Sequence, residues 1–216
     1  MLNQQRSDTG RRRPIAMTLA AAFLAVQVAG CAQLALQAVS MGAMVSVDRR
    51  TAGAQLEDET IQLKAVAALK QALGSSINVQ VTSHNRQVLL TGEVPDAASK
   101  TLAQRLVGQV ENVRTVYNEL AVENLTTLVQ RGSDAYLTAR VRAAFFDAPD
   151  LSSNAFKVVT SRSTVYLMGL VTPRESERAV RITQQVNGVQ RIVKVFEVIG
   201  EEELAQTGPR GARGEK

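Results

Sequence analysis

An internal repeat constrains this chain more than any other feature. Val88, Leu90, Gly92 and Val94 recur as Val165, Leu167, Gly169 and Val171 at a constant shift of 77 residues. Upstream, Asp58, Ile61, Lys64, Ala67 and Leu69 are answered by Asp134, Leu137, Arg140, Ala143 and Phe145 at a shift of 76. The chain therefore carries one fold twice, with a small loop adjustment between the copies. A unit of roughly 65 residues buries only about 60% of the surface its unfolded chain exposes, so each copy is marginal alone and gains from packing on the other.

The second copy shows what kind of unit repeats. Val165, Leu167, Gly169 and Val171 alternate with Tyr166, Met168 and Leu170, the period of a strand. Thr172, Pro173 and Glu175 supply an N-cap, a first-turn proline and a capping-box acid, so a helix follows. Asn187-Gly188 ends it, and the β-branched run Arg191 to Val198 is a further strand. In the first copy Ile61, Ala65, Leu69 and Leu73 have helical spacing, with Ala68 beside them and Gly74 at the close. Val79–Ser83 and Gln87–Val94 flank a hairpin at His84-Asn85-Arg86. Asp96 caps a helix with Leu102, Leu106 and Val110 on its apolar side, and Val113–Val122 returns as a strand. The fold class is α/β (α+β): two tandem units, each helix-strand-strand-helix-strand, with helices packed on one face of a small three-stranded sheet.

The run VYLMGLVTPRE…ERAV, followed by VNGVQRIVKVFE, resembles the BON domain. Two such units behind a lipoprotein signal are similar to the dual-BON periplasmic lipoproteins of Gram-negative bacteria. In the first copy Asn112 stands at the position of Gly188. Asn tolerates the left-handed conformation that Gly provides there.

Five segments follow. Residues 1–30 are a targeting segment: an Arg-rich start, an apolar run from Ile15 to Val28 that is short for a span, then Val28-Ala29-Gly30-Cys31, which resembles the bacterial lipobox. That resemblance implies cleavage before Cys31 and acylation of its thiol; the other reading is an ordinary signal peptide with a chance cysteine. Cys31 is the chain's only cysteine, which excludes an internal disulfide. In the lipoproteins it resembles, an aspartate after the cysteine favours the inner membrane, so with Ala32 there the resemblance implies the periplasmic leaflet of the outer membrane. Residues 31–57 form a tether, too short in apolar length for a second span, that lies on the bilayer or packs on the domains. The two units occupy 58–125 and 132–200, and 201–216 reads as a disordered tail.

Charge and motifs exclude much. Of the formal +5, the targeting segment holds Arg6, Arg11, Arg12 and Arg13 against Asp8, so +2 remains on the rest. That balance gives no case for nucleic acid. No nucleophile elbow, HExxH helix, P-loop or cysteine-based zinc spacing is present, and the single histidine, His84, is expected exposed in a turn. The reading is a non-enzymatic protein without metal or cofactor. Two surfaces stand out. At 100° per residue, Arg174, Arg178 and Arg181 form one stripe, either a solvated face with Glu177–Arg181 pairing or a site for anions. The resemblance implies phospholipid as that anion. On the sheet of the second unit, Val159, Tyr166, Met168, Leu170 and Val195 make an apolar face. It is either covered by the first unit or the tether, or open to an envelope protein partner. The matching face of the first unit, Gln80, Thr82, Leu89, Thr91, Glu93 and Glu119, is mostly polar and expected to meet water.

Overall fold

A computed structural model describes residues 48–74 and 77–207. Helix α1 (Ala52–Leu73) starts where the Thr51 hydroxyl accepts from the Ala54 N–H, and its Ile61, Ala65 and Leu69 are buried. Strands β1 (Asn78–His84) and β2 (Gln87–Val94) pair antiparallel, from Asn78 opposite Glu93 to His84 opposite Gln87. Asp96 caps α2 (Ala97–Gly108), which returns the chain to β3 (Thr115–Asn118) and β4 (Ala121–Val122), both parallel to β2. The second unit repeats the order: α3 (Leu128–Phe146), β5 (Phe156–Ser161), β6 (Thr164–Val171), α4 (Pro173–Gln184) and β7 (Arg191–Val198). Its sheet runs β5-β6-β7, antiparallel then parallel, and the capping box at Thr172 and Glu175 is formed as expected. Helices bury against one face of each sheet: Ile61, Ala65, Leu69, Ala103 and Val107 meet Val81, Val88, Leu90 and Val94. Leu137, Val141, Phe145, Ala179 and Ile182 meet Val158, Val165, Leu167 and Val171 in the same way.

The aspartates that begin the repeat hold its hairpins. The turn residues Asn85 and Arg86 take φ of 50° and 64°, and Arg162 and Ser163 take 52° and 58°. Two-residue hairpins favour that geometry, which fits the twist of the strands, but side chains other than Gly or Asn resist it. Asp58 accepts from the N–H groups of Asn85 (2.7 Å) and Arg86 (2.8 Å) and from the Ser83 hydroxyl (2.6 Å). Asp134 accepts from those of Arg162 (2.8 Å) and Ser163 (2.9 Å). A carboxylate on the first helix thus satisfies the turn N–H groups that the hairpin leaves unpaired. Asn112 takes a φ of 68° and Gly188 one of 102°, so the Asn substitutes for the Gly conformationally.

Several boundaries differ from the expected ones. Helix α1 begins at Ala52, upstream of Asp58, and α3 begins at Leu128, with Thr51 and Thr127 as matching N-caps. The added turns make few core contacts, so core periodicity does not reveal them. The last strand of unit one is split: Leu120 is buried, and the Asn118 amide turns to the Lys100 carbonyl at 2.9 Å. Unit one therefore has four strands where three were expected. On α2 the buried positions are Ala103 and Val107, with Leu102, Leu106 and Val110 half-buried beside them. Glu201–Thr207 is a short helix, α5, at the start of the segment expected to be disordered. The targeting segment, Cys31 and the tether up to residue 47 lie outside the described residues.

The repeated glycines mark a close approach of the second strand of each unit to the backbone at the start of the first. A Cβ built on Gly92, where φ is 109°, would lie 1.8 Å from the Asn78 carbonyl oxygen; one on Gly169 would lie 2.3 Å from that of Ala155. Both obstacles are backbone, which cannot swing aside. Gly92→Ala should therefore lower stability by at least about 1–3 kcal/mol, the usual cost of overpacking, measured as a shift of the chemical denaturation midpoint at unchanged slope.

Candidate functional site

The apolar face of the second sheet is buried inside the chain. Val159, Tyr166, Met168 and Val195 pack with Leu89 of the first unit, with Tyr117 and Val193 at the edge. Leu170 is half-buried beside them, and its carbonyl accepts from Arg49 at 2.9 Å. On the second sheet this is the covered alternative; on the first it is a correction. The set expected to meet water is largely buried, with Thr82, Leu89, Thr91 and Glu93 at 3%, 0%, 1% and 1% exposure. Of the two alternatives for the apolar set of the second sheet, packing against unit one is the one seen. Polar residues tolerate the burial because they are satisfied: Glu93 accepts from the Asn78 amide (2.8 Å) and from the N–H (3.3 Å) and hydroxyl (3.2 Å) of Thr126. Around the rim Arg191 pairs with Glu119 (3.2 Å), Arg114 with Glu197 (2.9 Å) and Arg162 with Glu123. Exposed pairs of this kind add little each, so they fix register more than they stabilise.

The segment before α1 ties the units together. Arg49 grips Glu175 with two hydrogen bonds of 2.8 and 2.6 Å, while Arg50 reaches Asp58 at 2.5 Å and Asp48 at 2.7 Å. Burial alone would raise the Glu175 carboxyl; the Arg49 hydrogen bonds, the Thr172 N–H and the Arg49 charge more than offset it and hold it below its ordinary value. Asp58 is lowered likewise, against burial, by Ser83, the Arg86 and Asn85 N–H groups and Arg50.

His84 sits beside this clasp. It was expected exposed in the turn, but it ends β1 and is 6% exposed, and its Nδ1 has no hydrogen-bond partner. Burial, then the Arg50 charge, push its pKa down to about 4 against the opposing pull of Asp58 and Asp48, with Lys157 adding to the push. A two-residue turn places position 84 in the strand, on the side that the second unit covers.

The arginine stripe of α4 is less available than its spacing implies. Arg174 and Arg181 are exposed, but Arg178 pairs with Asp150 (2.8 Å) and Arg181 lies 3.6 Å from Glu177. The Arg178 hydrogen bond, more than the nearby charge, lowers the Asp150 carboxyl. Arg174 alone of the three makes no ion pair among the described residues. The larger exposed surface is on α3, and the sequence reading missed it. Leu128, Val129, Gly132, Tyr136, Ala139, Ala143 and Phe146 fall within one arc of about 100° and all are exposed; Leu128, Val129, Tyr136 and Phe146 stand at 81%, 80%, 67% and 80%. Arg131 and Arg142 border that arc on one side and Arg140 on the other. The opposite side carries the core positions Asp134, Leu137, Val141 and Phe145. A helix apolar on two sides has a weak net periodicity, which hides the outer stripe; the unexplained Leu128, Val129, Tyr136 and Phe146 were the usable signal. Among the described residues there is no cluster of His, Cys, Asp and Glu fit for a metal, and no helix is long and apolar enough to cross a membrane.

Comparison with known proteins agrees with this architecture. The BON domain profile matches residues 57–124 and 133–200. The chain is 32% identical over 172 residues to the outer membrane lipoprotein DolP of Haemophilus influenzae, covering 79% of this chain and 89% of that protein. It is 26% identical to a 21 kDa hemolysin of Actinobacillus pleuropneumoniae, covering 71% of this chain and 80% of the relative. With the osmotically-inducible protein Y of Escherichia coli K12 it shares 28% identity, covering 71% of this chain and 78% of that one.

The buried histidine generates a pH dependence with a defined window. Its folded pKa lies below the unfolded value of 6.5, so between those values the unfolded state binds more protons and stability falls as pH falls. The contribution is complete above pH 6.5 and lost on acidification toward pH 4, in all roughly 3 kcal/mol at 1.36 kcal/mol per unit. The carboxylates held by Arg49 and Arg50 start losing theirs only below their unfolded values of 4.5 and 3.8. Urea titrations at a series of pH values should show the decline, and His84→Gln should flatten it between pH 6.5 and 4.

Proposed function

This chain belongs to the BON domain family and carries two copies in tandem, and on that premise we propose that it is an outer-membrane lipoprotein, held by acyl chains on Cys31, that contacts anionic phospholipid and helps maintain envelope integrity. The lipobox-like Val28-Ala29-Gly30-Cys31 and the relationship to an outer membrane lipoprotein support the anchor. Two or more acyl chains make such an anchor effectively permanent, at about 0.8 kcal/mol per buried methylene. The periplasmic leaflet is the side that Ala32 favours.

The observation that carries the lipid contact is the outer stripe of α3. Large apolar side chains at two-thirds exposure or more, aligned along a helix and bordered by Arg131, Arg140 and Arg142, make the pattern of an interfacial helix. Its aliphatic and aromatic groups suit the acyl boundary and its arginines the phosphates. Arg174, with Arg178 and Arg181, extends the basic surface on α4, though two of those three already have acidic partners. Tethering supplies a high local concentration, so the contact itself need only be weak. The reading is non-enzymatic.

The test is vesicle flotation with an unacylated chain carrying Cys31→Ala. It should bind vesicles rich in phosphatidylglycerol and release as salt rises. Leu128→Ser with Val129→Ser removes two apolar groups worth up to about 1.5 kcal/mol each if fully buried, and should weaken binding tenfold or more. Replacing Arg174, Arg178 and Arg181 jointly by Gln should weaken it less. Equal binding by the parent and the α3 variant would refute the stripe as the lipid face, and no binding by the parent would refute lipid contact outside the anchor.

A further inference from the structure

Where the edge strands β1 and β5 face one another, the seam opens into a cleft of about 510 Å³, a size typical of small-molecule sites. Its walls come from both units: Asn78, Gln80, Thr82, Thr91 and Glu93 on one side, Thr138, Arg142, Lys157 and Thr160 on the other. Most of these groups are uncharged donors and acceptors, and the charged ones divide by commitment. Glu93 is engaged by Asn78 and Thr126, Asp134 by the hairpin N–H groups, and Arg131 donates to the Thr126 carbonyl at 3.2 Å. Arg142 and Lys157 make no ion pair among the described residues. The capacity left for a ligand is therefore cationic, set among amides and hydroxyls.

From this we infer a binding site for an anionic saccharide, a hydroxyl-rich ligand bearing one carboxylate or phosphate. Arg142 and Lys157 receive the anionic group, by charge-assisted hydrogen bonds that are stronger than neutral ones. Gln80 and the Thr138 hydroxyl, which can still accept while it donates to Thr160, pair with the hydroxyls. A sugar left without such partners in a cleft loses the hydrogen bonds it made to water, which is why lining of this type discriminates for polyols over apolar ligands. Because the walls belong to different units, the site exists only while the two are packed together. It shares Arg142 with the border of the outer stripe of α3, whereas Lys157 and Gln80 belong to the cleft alone, so substitutions at those two separate saccharide binding from vesicle binding.

The test is isothermal titration of the full chain in a neutral detergent with four probes: N-acetylmuramic acid, glucose 6-phosphate, N-acetylglucosamine and inorganic phosphate. The two anionic sugars should bind at least tenfold more tightly than the neutral sugar or phosphate alone. Arg142→Gln with Lys157→Gln should abolish that preference with the melting temperature unchanged, since neither side chain holds an ion pair. Gln80→Ala, at an exposed position, should weaken the sugars severalfold and leave phosphate unaffected. Absence of binding, or anionic-sugar affinity that survives the double substitution, overturns the proposal. Equal affinity for phosphate and the sugars overturns the saccharide class, and equal affinity for N-acetylglucosamine overturns the role of the cations.

Discussion

The packing of Leu89 into the face made by Val159, Tyr166, Met168 and Val195 is the contact on which the rest of this molecule depends. Each repeat buries one face of its sheet beneath its own helices and leaves the other bare. A sheet this small, covered on one side only, is a poor independent fold. Setting the two bare faces together gives both sheets a second covered side, and it leaves the helices on the outside. Everything else at the seam trims that arrangement: ion pairs at the rim, a satisfied Glu93 within, and the Arg49 and Arg50 clasp where the chain enters α1.

The asymmetry between the two faces explains what the sequence did and did not disclose. Repetition, strand period and capping residues were enough to read the element order, the hairpins and the fold class, because each is local. The apolar character of Val159, Tyr166, Met168 and Val195 marked their face as one needing cover. The opposing face gave no such signal. Thr82, Thr91 and Glu93 look solvent-facing by hydropathy, and what permits their burial is a set of partners such as Asn78 and Thr126 that only the folded chain brings near. His84 was misplaced for a related reason: counting it into the turn ignored that positive φ at Asn85 and Arg86 makes a two-residue hairpin.

The candidate surfaces follow the same division. The arginine spacing on α4 was legible, but the acid that captures Arg178 comes from Asp150, beyond the helix itself. The outer stripe of α3 was hidden because the same helix also has a core side. The early helix starts were recoverable in principle, since Thr51 and Thr127 stand at the repeat's own shift. Long-range satisfaction and two-sided helices are the features that a one-dimensional pattern does not carry. With the sheets turned inward, the helices are the surfaces left exposed.

The account stands on the two units forming one cooperative body through that seam. Differential scanning calorimetry of the chain and of Leu89→Asp tests it, because a carboxylate at a fully buried position would sit unpaired among Tyr166, Met168 and Val195. The parent should melt in one transition whose calorimetric and van't Hoff enthalpies agree. The variant should melt lower and resolve into two transitions as the units uncouple. Two transitions in the parent, or an unchanged single transition in the variant, would contradict the shared seam.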